Sequence, residues 1–171
     1  MANVTVTPMM GFVEAVKTCF SKFATFSGRA RRSEFWWFYL LNAILGGISS
    51  YMVTLKNAKV TEIQTRAIDA AFNGGDLSAI EAEAASFDTL FFTVMGIVSV
   101  LMLVLLVPTL AAWARRLHDT GKSGHLLWLI LVCGVGGIVP LVMAIMDGQP
   151  GPNQYGESPK YKPVTPAVPT A

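Results

Sequence analysis

The sequence has few charged residues and distributes them unevenly. Asp, Glu, Lys and Arg make up 14% of its 171 residues, against 53% hydrophobic residues, and the mean hydropathy is +0.50. No charge falls within the windows 35–55, 89–114 and 126–146. A soluble domain could bury one such segment, but three would leave too little polar chain to cover them. The composition therefore indicates a membrane protein.

The sequence also lacks the motifs that bind cofactors or carry catalysis. Its two cysteines, Cys19 and Cys133, have neither disulfide nor metal-site spacing. Its two histidines, His118 and His125, have no Cys, His and carboxylate cluster around them. No Ser-His-acid order, HExxH motif or glycine-rich dinucleotide motif is present. We therefore expect neither cofactor nor metal ion, and an enzyme hypothesis has no candidate nucleophile.

The three uncharged windows have the length of membrane-spanning helices. They contain 21, 26 and 21 residues, and a helix needs about 20 apolar residues to cross a hydrocarbon core of about 30 Å. Helix breakers in the third window permit a kink or a re-entrant hairpin; they are Gly134, Gly136, Gly137 and Pro140. Two full crossings would need about 40 residues, so we expect one kinked span, with the tail outside.

Apolar residues before the first window predict an amphipathic helix, because they recur mostly at three- and four-residue steps. They are Met9, Phe12, Val13, Val16, Phe20 and Phe23. This helix can pack on the other helices or lie at the membrane interface. The expected fold is an all-α membrane protein with three transmembrane helices and an N-terminal interfacial helix.

The expected domain organisation places residues 9–160 in the membrane domain. Residues 1–8 form an N-terminal extension, 56–88 a polar loop, and 161–171 a Pro-rich tail. Within the loop, a turn at 73–76 and the Ser-x-x-Glu spacing of 78–81 predict a helix that continues into the second span.

Basic residues form two clusters beside the windows. Arg29, Arg31 and Arg32 precede the first window, and Arg115 and Arg116 follow the second. Because Lys and Arg in short flanks stay in the cytoplasm, we expect both clusters and the N-terminus on that side. The clusters should then meet on one face, together with three polar neighbours, Glu34, His118 and Asp119.

This basic face has two interpretations. The arginines can simply fix the topology, with Glu34 or Asp119 paired to one of them. Alternatively, the excess arginines bind a lipid phosphate or another anion at the interface. Nucleic acid is not an expected partner, because Phe35, Trp36 and Trp37 directly follow the first cluster, as interface anchors of a membrane helix do.

Three motifs, in order, resemble a known family. They are GRARRSEFW at 28–36, RRLHDTGKSG at 115–124 and PGPNQYGESP at 150–159. These stretches are similar to the GRxxRxEFW, RRLHDxxxSG and PGxNxYGxxP patterns of the bacterial inner-membrane family catalogued as domain of unknown function 805. The resemblance covers about residues 10–160, and it implies a small multi-span inner-membrane protein with no established reaction.

We therefore predict a non-enzymatic protein of the bacterial inner membrane that contacts anionic lipids, further copies of itself or other membrane proteins. Two alternatives stay open. A channel or transport component would need polar residues within the spans, and an oligomer could supply Asn42, Ser49, Ser50 or Thr93. A membrane enzyme acting on lipid headgroups would use His118 and Asp119.

Overall fold

The computed structural model of the protein describes residues 4–131 and 138–163 and is mostly helical. The elements are β1 (Val4–Val6), α1 (Phe12–Ser21), α2 (Arg32–Asn73), α3 (Leu77–Asp119), a 3₁₀ helix (Gly124–Leu131), α4 (Ile138–Ile145) and β2 (Tyr161–Pro163). The chain divides into two units. Unit 1 comprises the described residues up to Leu40 and from Leu105 onward, and unit 2 is Leu41–Val104.

Unit 2 consists of parts of α2 and α3 joined by a short turn. Gly74 has a positive φ of 77°, which an L side chain rarely adopts. The carboxylate of Asp76 accepts hydrogen bonds from the backbone N–H groups of Ser78 (2.9 Å) and Ala79 (3.4 Å). Asp76 therefore caps α3, in place of the capping box that the spacing of 78–81 predicts.

The segment 56–88, which we expected as a polar loop, is helical on both sides of this turn. Ion pairs join its two helical stretches: Lys56 to Asp88 (2.8 Å), and Lys59 and Arg66 to Glu83 (2.7 Å each). Each partly exposed pair contributes little to stability, because water screens the two charges. Together they let a charged sequence remain in two paired helices.

Helices α2 and α3 are each long and apolar enough to cross a membrane, with 42 and 43 residues. Large apolar side chains such as Ile44, Leu103 and Leu106 are exposed along them. Water would disfavour this exposure by about 25 cal/mol per Å², whereas hydrocarbon would not. The two helices contain the predicted spans 35–55 and 89–114.

The third window does not form one continuous helix in the described residues. It contains most of the 3₁₀ helix and all of α4, whereas residues 132–137, with Cys133 and the three glycines of the expected kink, lie outside the described residues. A Cβ at Gly124 would contact Ala114 (3.3 Å), and the carbonyl of Ala144 accepts a hydrogen bond from Arg116 (3.1 Å). Both described ends of the segment therefore lie against the end of α3.

Helix α1 packs its small residues inward and leaves larger ones exposed. Ala15 and Cys19 are fully buried, whereas Phe12 is partly exposed. The Phe12 ring meets Trp37 edge to face at a centroid distance of 5.9 Å. Helix α1 thus lies within the segment that we expected to form an amphipathic helix, and aromatic contact joins it to the first turns of α2.

The two ends of the described chain pair as antiparallel strands. Thr5 lies opposite Lys162, and the Thr7 N–H donates to the carbonyl of Lys160 (3.0 Å). The all-α fold that we predicted from the sequence does not include this small sheet. Its partners are more than 150 residues apart, and each strand has only three residues, too few for a clear periodic pattern.

Candidate functional site

The second motif lies in the last turns of α3, where a glycine ends the helix. Gly121 has a φ of 77°, and its N–H donates to the carbonyl of His118 (3.0 Å). The N–H of Lys122 donates to the carbonyl of Leu117 (3.0 Å). These two bonds form a Schellman motif, which fixes the direction of the side chains in the last helical turns.

Asp119 is buried between two arginines at this helix end. Its Oδ1 accepts from Nε of Arg29 at 2.9 Å, and its Oδ2 accepts from Nη1 of Arg116 at 2.5 Å. All three side chains are buried. A carboxylate is unfavourable at a helix C-terminus, and burial costs several kcal/mol per ion unless each is hydrogen-bonded. The two guanidinium groups compensate both effects.

The remaining donors of Arg29 and Arg116 bind the segment that carries the third motif. Arg29 donates to the carbonyls of Gly151 (2.7 Å) and Gln149 (2.5 Å). Arg116 donates to the carbonyl of Ala144 (3.1 Å) and also to that of Met146. The glycine at position 148 is required by the same packing, since a Cβ there would overlap the carboxylate of Asp119. These arginines therefore act as structural links.

Arg115 forms a second buried ion pair with Glu34. Their Nη2 and Oε1 atoms are 3.1 Å apart, and neither side chain is more than 3% exposed. These atoms have no hydrogen-bond geometry with any partner in the described part of the chain. The N–H of Ala30 donates to the Arg115 carbonyl (3.0 Å), so backbone and side chain both join the first two motifs.

His118 brings the third motif onto the first two. Its ring stacks on Tyr155 at a centroid distance of 3.8 Å and an interplanar angle of 6°. Its Nδ1 lies 3.1 Å from the carbonyl of Gly28, and its own carbonyl accepts from the side chain of Asn153 (2.9 Å). His118 and Asp119 are both held by packing contacts, so the geometry gives no support to the enzyme alternative.

Arg31 and Arg32 have different surroundings from the other arginines. Arg31 is buried and donates to the hydroxyl of Thr7 (2.8 Å) and the carbonyl of Pro8 (2.5 Å). The Arg32 side chain is 44% exposed, and its Nη1 lies 3.1 Å from Oδ1 of Asp147. Of the five arginines predicted to form the face, Arg32 is thus the most accessible.

A cavity of about 530 Å³ lies beside Arg32. We call it the basic cavity. Its polar residues include Arg31, Arg32, Ser33, Asp147, Ser158 and Lys160, and its apolar residues are Met9, Met10, Trp36 and Trp37. The side-chain amine of Lys160 lies 3.3 Å from the same Asp147 oxygen that contacts Arg32. The basic cavity therefore combines exposed cations with an aromatic wall.

The predicted interface anchors separate into two groups. Trp36 and Trp37 line the basic cavity, whereas Phe35 is buried and packs edge to face on Trp113 at a centroid distance of 4.7 Å. Sequence reasoning missed Asp147 and the lysine at position 160. The only available signal was that Asp147 is the first charge after the third window.

No group of three or more His, Cys, Asp and Glu side chains in the described ranges could hold a metal ion. The acidic groups of the site are engaged by cations instead. The chemistry available at the basic cavity is therefore charge recognition and hydrogen bonding.

The two long apolar helices and the packed basic motifs define a helical membrane protein. The model of the family described as protein of unknown function (DUF805) matches residues 23–157. The chain belongs to this family, which confirms the resemblance drawn from the three motifs.

Two curated relatives cover most of the chain. Inner membrane protein YhaI of Escherichia coli (strain K12) is 31% identical over 136 residues, which span 80% of this chain and 86% of YhaI. Inner membrane protein YhaH of the same strain is 27% identical over 138 residues, which span 81% of this chain and 89% of YhaH. No solved structure matches the chain.

Proposed function

We propose that this protein is a non-enzymatic, multi-pass protein of the bacterial inner membrane that binds anionic lipid at a cytoplasmic, Arg-rich face. The names of YhaI and YhaH support the location. The observation that carries the binding role is the basic cavity, where the exposed Arg32 lies beside Trp36 and Trp37. Basic and aromatic side chains together are typical of the headgroup region of a membrane.

The proposed topology has two crossings, α2 and α3, and a re-entrant segment at 126–146. The 3₁₀ helix and α4 contain eight residues each. At about 2.0 and 1.5 Å per residue they are about 16 and 12 Å long, so neither helix alone crosses a core of about 30 Å. The contacts of both ends with the end of α3 support a return to the same side. The N-terminus and the third motif are then both cytoplasmic, as the basic clusters favour.

The channel alternative gains no support from the polar residues of the spans. The hydroxyl of Ser49 donates to the carbonyl of Leu45 (3.1 Å), and that of Thr93 donates to the carbonyl of Thr89 (2.7 Å). Each group is satisfied by its own helix. A flux assay on reconstituted protein tests the oligomeric pore, and we expect no flux above that of empty vesicles.

The binding role predicts that an Arg32→Gln variant retains less phosphatidylglycerol than the wild type. One basic residue near an anionic surface contributes about 1 kcal/mol, or roughly fivefold in affinity. Native mass spectrometry of the purified protein, titrated with phosphatidylglycerol and with phosphatidylcholine, measures this difference. Only the anionic lipid should respond to the substitution.

Arg66→Gln is the matched control. Arg66 is 46% exposed and ion-paired with Glu83, much as Arg32 is 44% exposed and paired with Asp147. It belongs to unit 2 and does not line the basic cavity. Equal lipid retention by the wild type, Arg32→Gln and Arg66→Gln would exclude the binding role.

A further inference from the structure

Two cations of the basic cavity converge on a single carboxylate oxygen. Oδ1 of Asp147 lies 3.1 Å from Nη1 of Arg32 and 3.3 Å from Nζ of Lys160. Arg32 is the first residue of α2, Asp147 directly follows the segment 126–146, and Lys160 directly follows the third motif. Asp147 therefore occupies the position in which an external anion would find both cations.

This arrangement differs in burial from that of Asp119, a second carboxylate of unit 1 that two basic side chains share. The Asp119 side chain is 6% exposed and holds its two arginines inside the unit, whereas that of Asp147 is 57% exposed. Exposed ion pairs contribute little to stability, because water solvates both partners when they separate. Asp147 can therefore be displaced at small cost, and Asp119 cannot.

Two hydroxyl groups add donor capacity to the cavity. The Ser33 oxygen accepts from the N–H of Met10 (3.3 Å), and the Ser158 oxygen accepts from the N–H of Tyr161 (3.3 Å). A hydroxyl that already accepts one hydrogen bond still has its O–H to donate. Both residues line the cavity with Arg32 and Lys160. This set of donors suits an anion with several oxygens, such as a phosphate ester.

We propose that Asp147 is an internal counter-ion that a phosphate-bearing ligand displaces from Arg32 and Lys160, and that its charge limits the affinity of the site. This inference rests on the proposed function and names its ligand chemistry. The ligand is a phosphate ester, either in a lipid headgroup or as a free anion. Because a phosphate group offers more acceptor oxygens than one carboxylate oxygen, it can satisfy both cations and the two hydroxyls together.

The test compares the directions in which three substitutions change the affinity for phosphatidylglycerol. Asp147→Asn removes the competing charge and should strengthen binding of phosphatidylglycerol about fivefold, whereas Lys160→Gln should weaken it by a similar factor. The double variant Asp147→Asn/Arg32→Gln should lose the increase in affinity that Asp147→Asn gives alone. Asp88→Asn is the control, because Asp88 is also exposed and paired with a lysine but does not line the cavity.

The ligands are phosphatidylglycerol, sn-glycerol 1-phosphate and inorganic phosphate, each titrated onto the full-length protein in detergent. Binding of the lipid alone would assign the site to a headgroup, and binding of the soluble phosphates as well would assign it to the free anion. Either result supports the proposal, provided that Asp147→Asn binds more tightly than the wild type.

Two results would overturn the proposal, and they are distinguishable. If wild-type binding depends on Arg32 but Asp147→Asn binds equally or less tightly, Asp147 is only a structural partner and the proposed function stands. If neither the wild type nor Asp147→Asn shows binding that depends on Arg32, both proposals are wrong.

Discussion

At the scale of single residues, the arginines of the basic face differ in burial and in the number of partners that they bind. Arg116 is fully buried and donates to Asp119 and to three carbonyls. Arg32 contacts a single exposed carboxylate. In the sequence both arginines belong to basic clusters. In the structure Arg116 is a buried folding contact, whereas Arg32 lies at the surface.

This difference predicts unequal effects on stability. Arg116→Gln should lower the free energy of unfolding by about 3–5 kcal/mol, because it leaves a buried carboxylate without one of its two cations. Arg32→Gln should change it by no more than about 0.5 kcal/mol. Thermal unfolding of both variants in the same detergent measures the difference. Equal losses of thermal stability would show that Asp119 does not depend on its buried partner.

The pairing of these residues could be predicted only in part. The positive-inside tendency brings Arg29 and Arg115 to one side of the membrane, and the structure places them in the same unit. The sequence left open whether Glu34 or Asp119 would pair with an arginine. Both do, because each is buried and needs its own cation. Which arginine pairs with which carboxylate depends on distances in three dimensions, and residue spacing in the sequence does not give these distances.

At the scale of elements, α1 is held by small buried residues rather than by its exposed phenylalanines. Cys19 is fully buried. Burial, followed by the nearby charge of Glu34, raises the pKa of its thiol to about 12, although Arg115 and Lys22 act in the opposite direction. A thiol reacts as its thiolate, so Cys19 is unreactive while α1 is packed.

We therefore expect Cys19 to resist maleimide at pH 8 in the folded protein and to react after denaturation. A Cys133→Ser background removes the other thiol, so that mass spectrometry reports Cys19 alone. Rapid labelling of the folded protein would mean that α1 does not pack as described.

The helices and strands show which sequence patterns were sufficient to predict the fold. Long uncharged runs located α2 and α3, because hydrocarbon selects for apolar length. The helical character of 56–73 was not evident, since the ion pairs that support it, such as Lys56 with Asp88, join residues 32 positions apart. The two-stranded sheet was missed for the same reason, as its strands lie at opposite ends of the described chain.

At the scale of the whole molecule, the three family motifs belong to the same unit. Asp119 of the second motif binds Arg29 of the first, and Arg29 in turn donates to Gly151 of the third. Such contacts require all three motifs on one side of the membrane. They therefore support the proposed topology, in which the third window returns to the side from which it enters.

Reporter fusions test this topology most directly. Green fluorescent protein fused after Ala171 should fluoresce and alkaline phosphatase at the same position should be inactive, because the proposed topology places the tail in the cytoplasm. Insertion of each reporter after Gly75 should give the opposite pair of results. Active alkaline phosphatase after Ala171 would place the tail outside, restore a single crossing at 126–146 and contradict the joining of the three motifs on the cytoplasmic side.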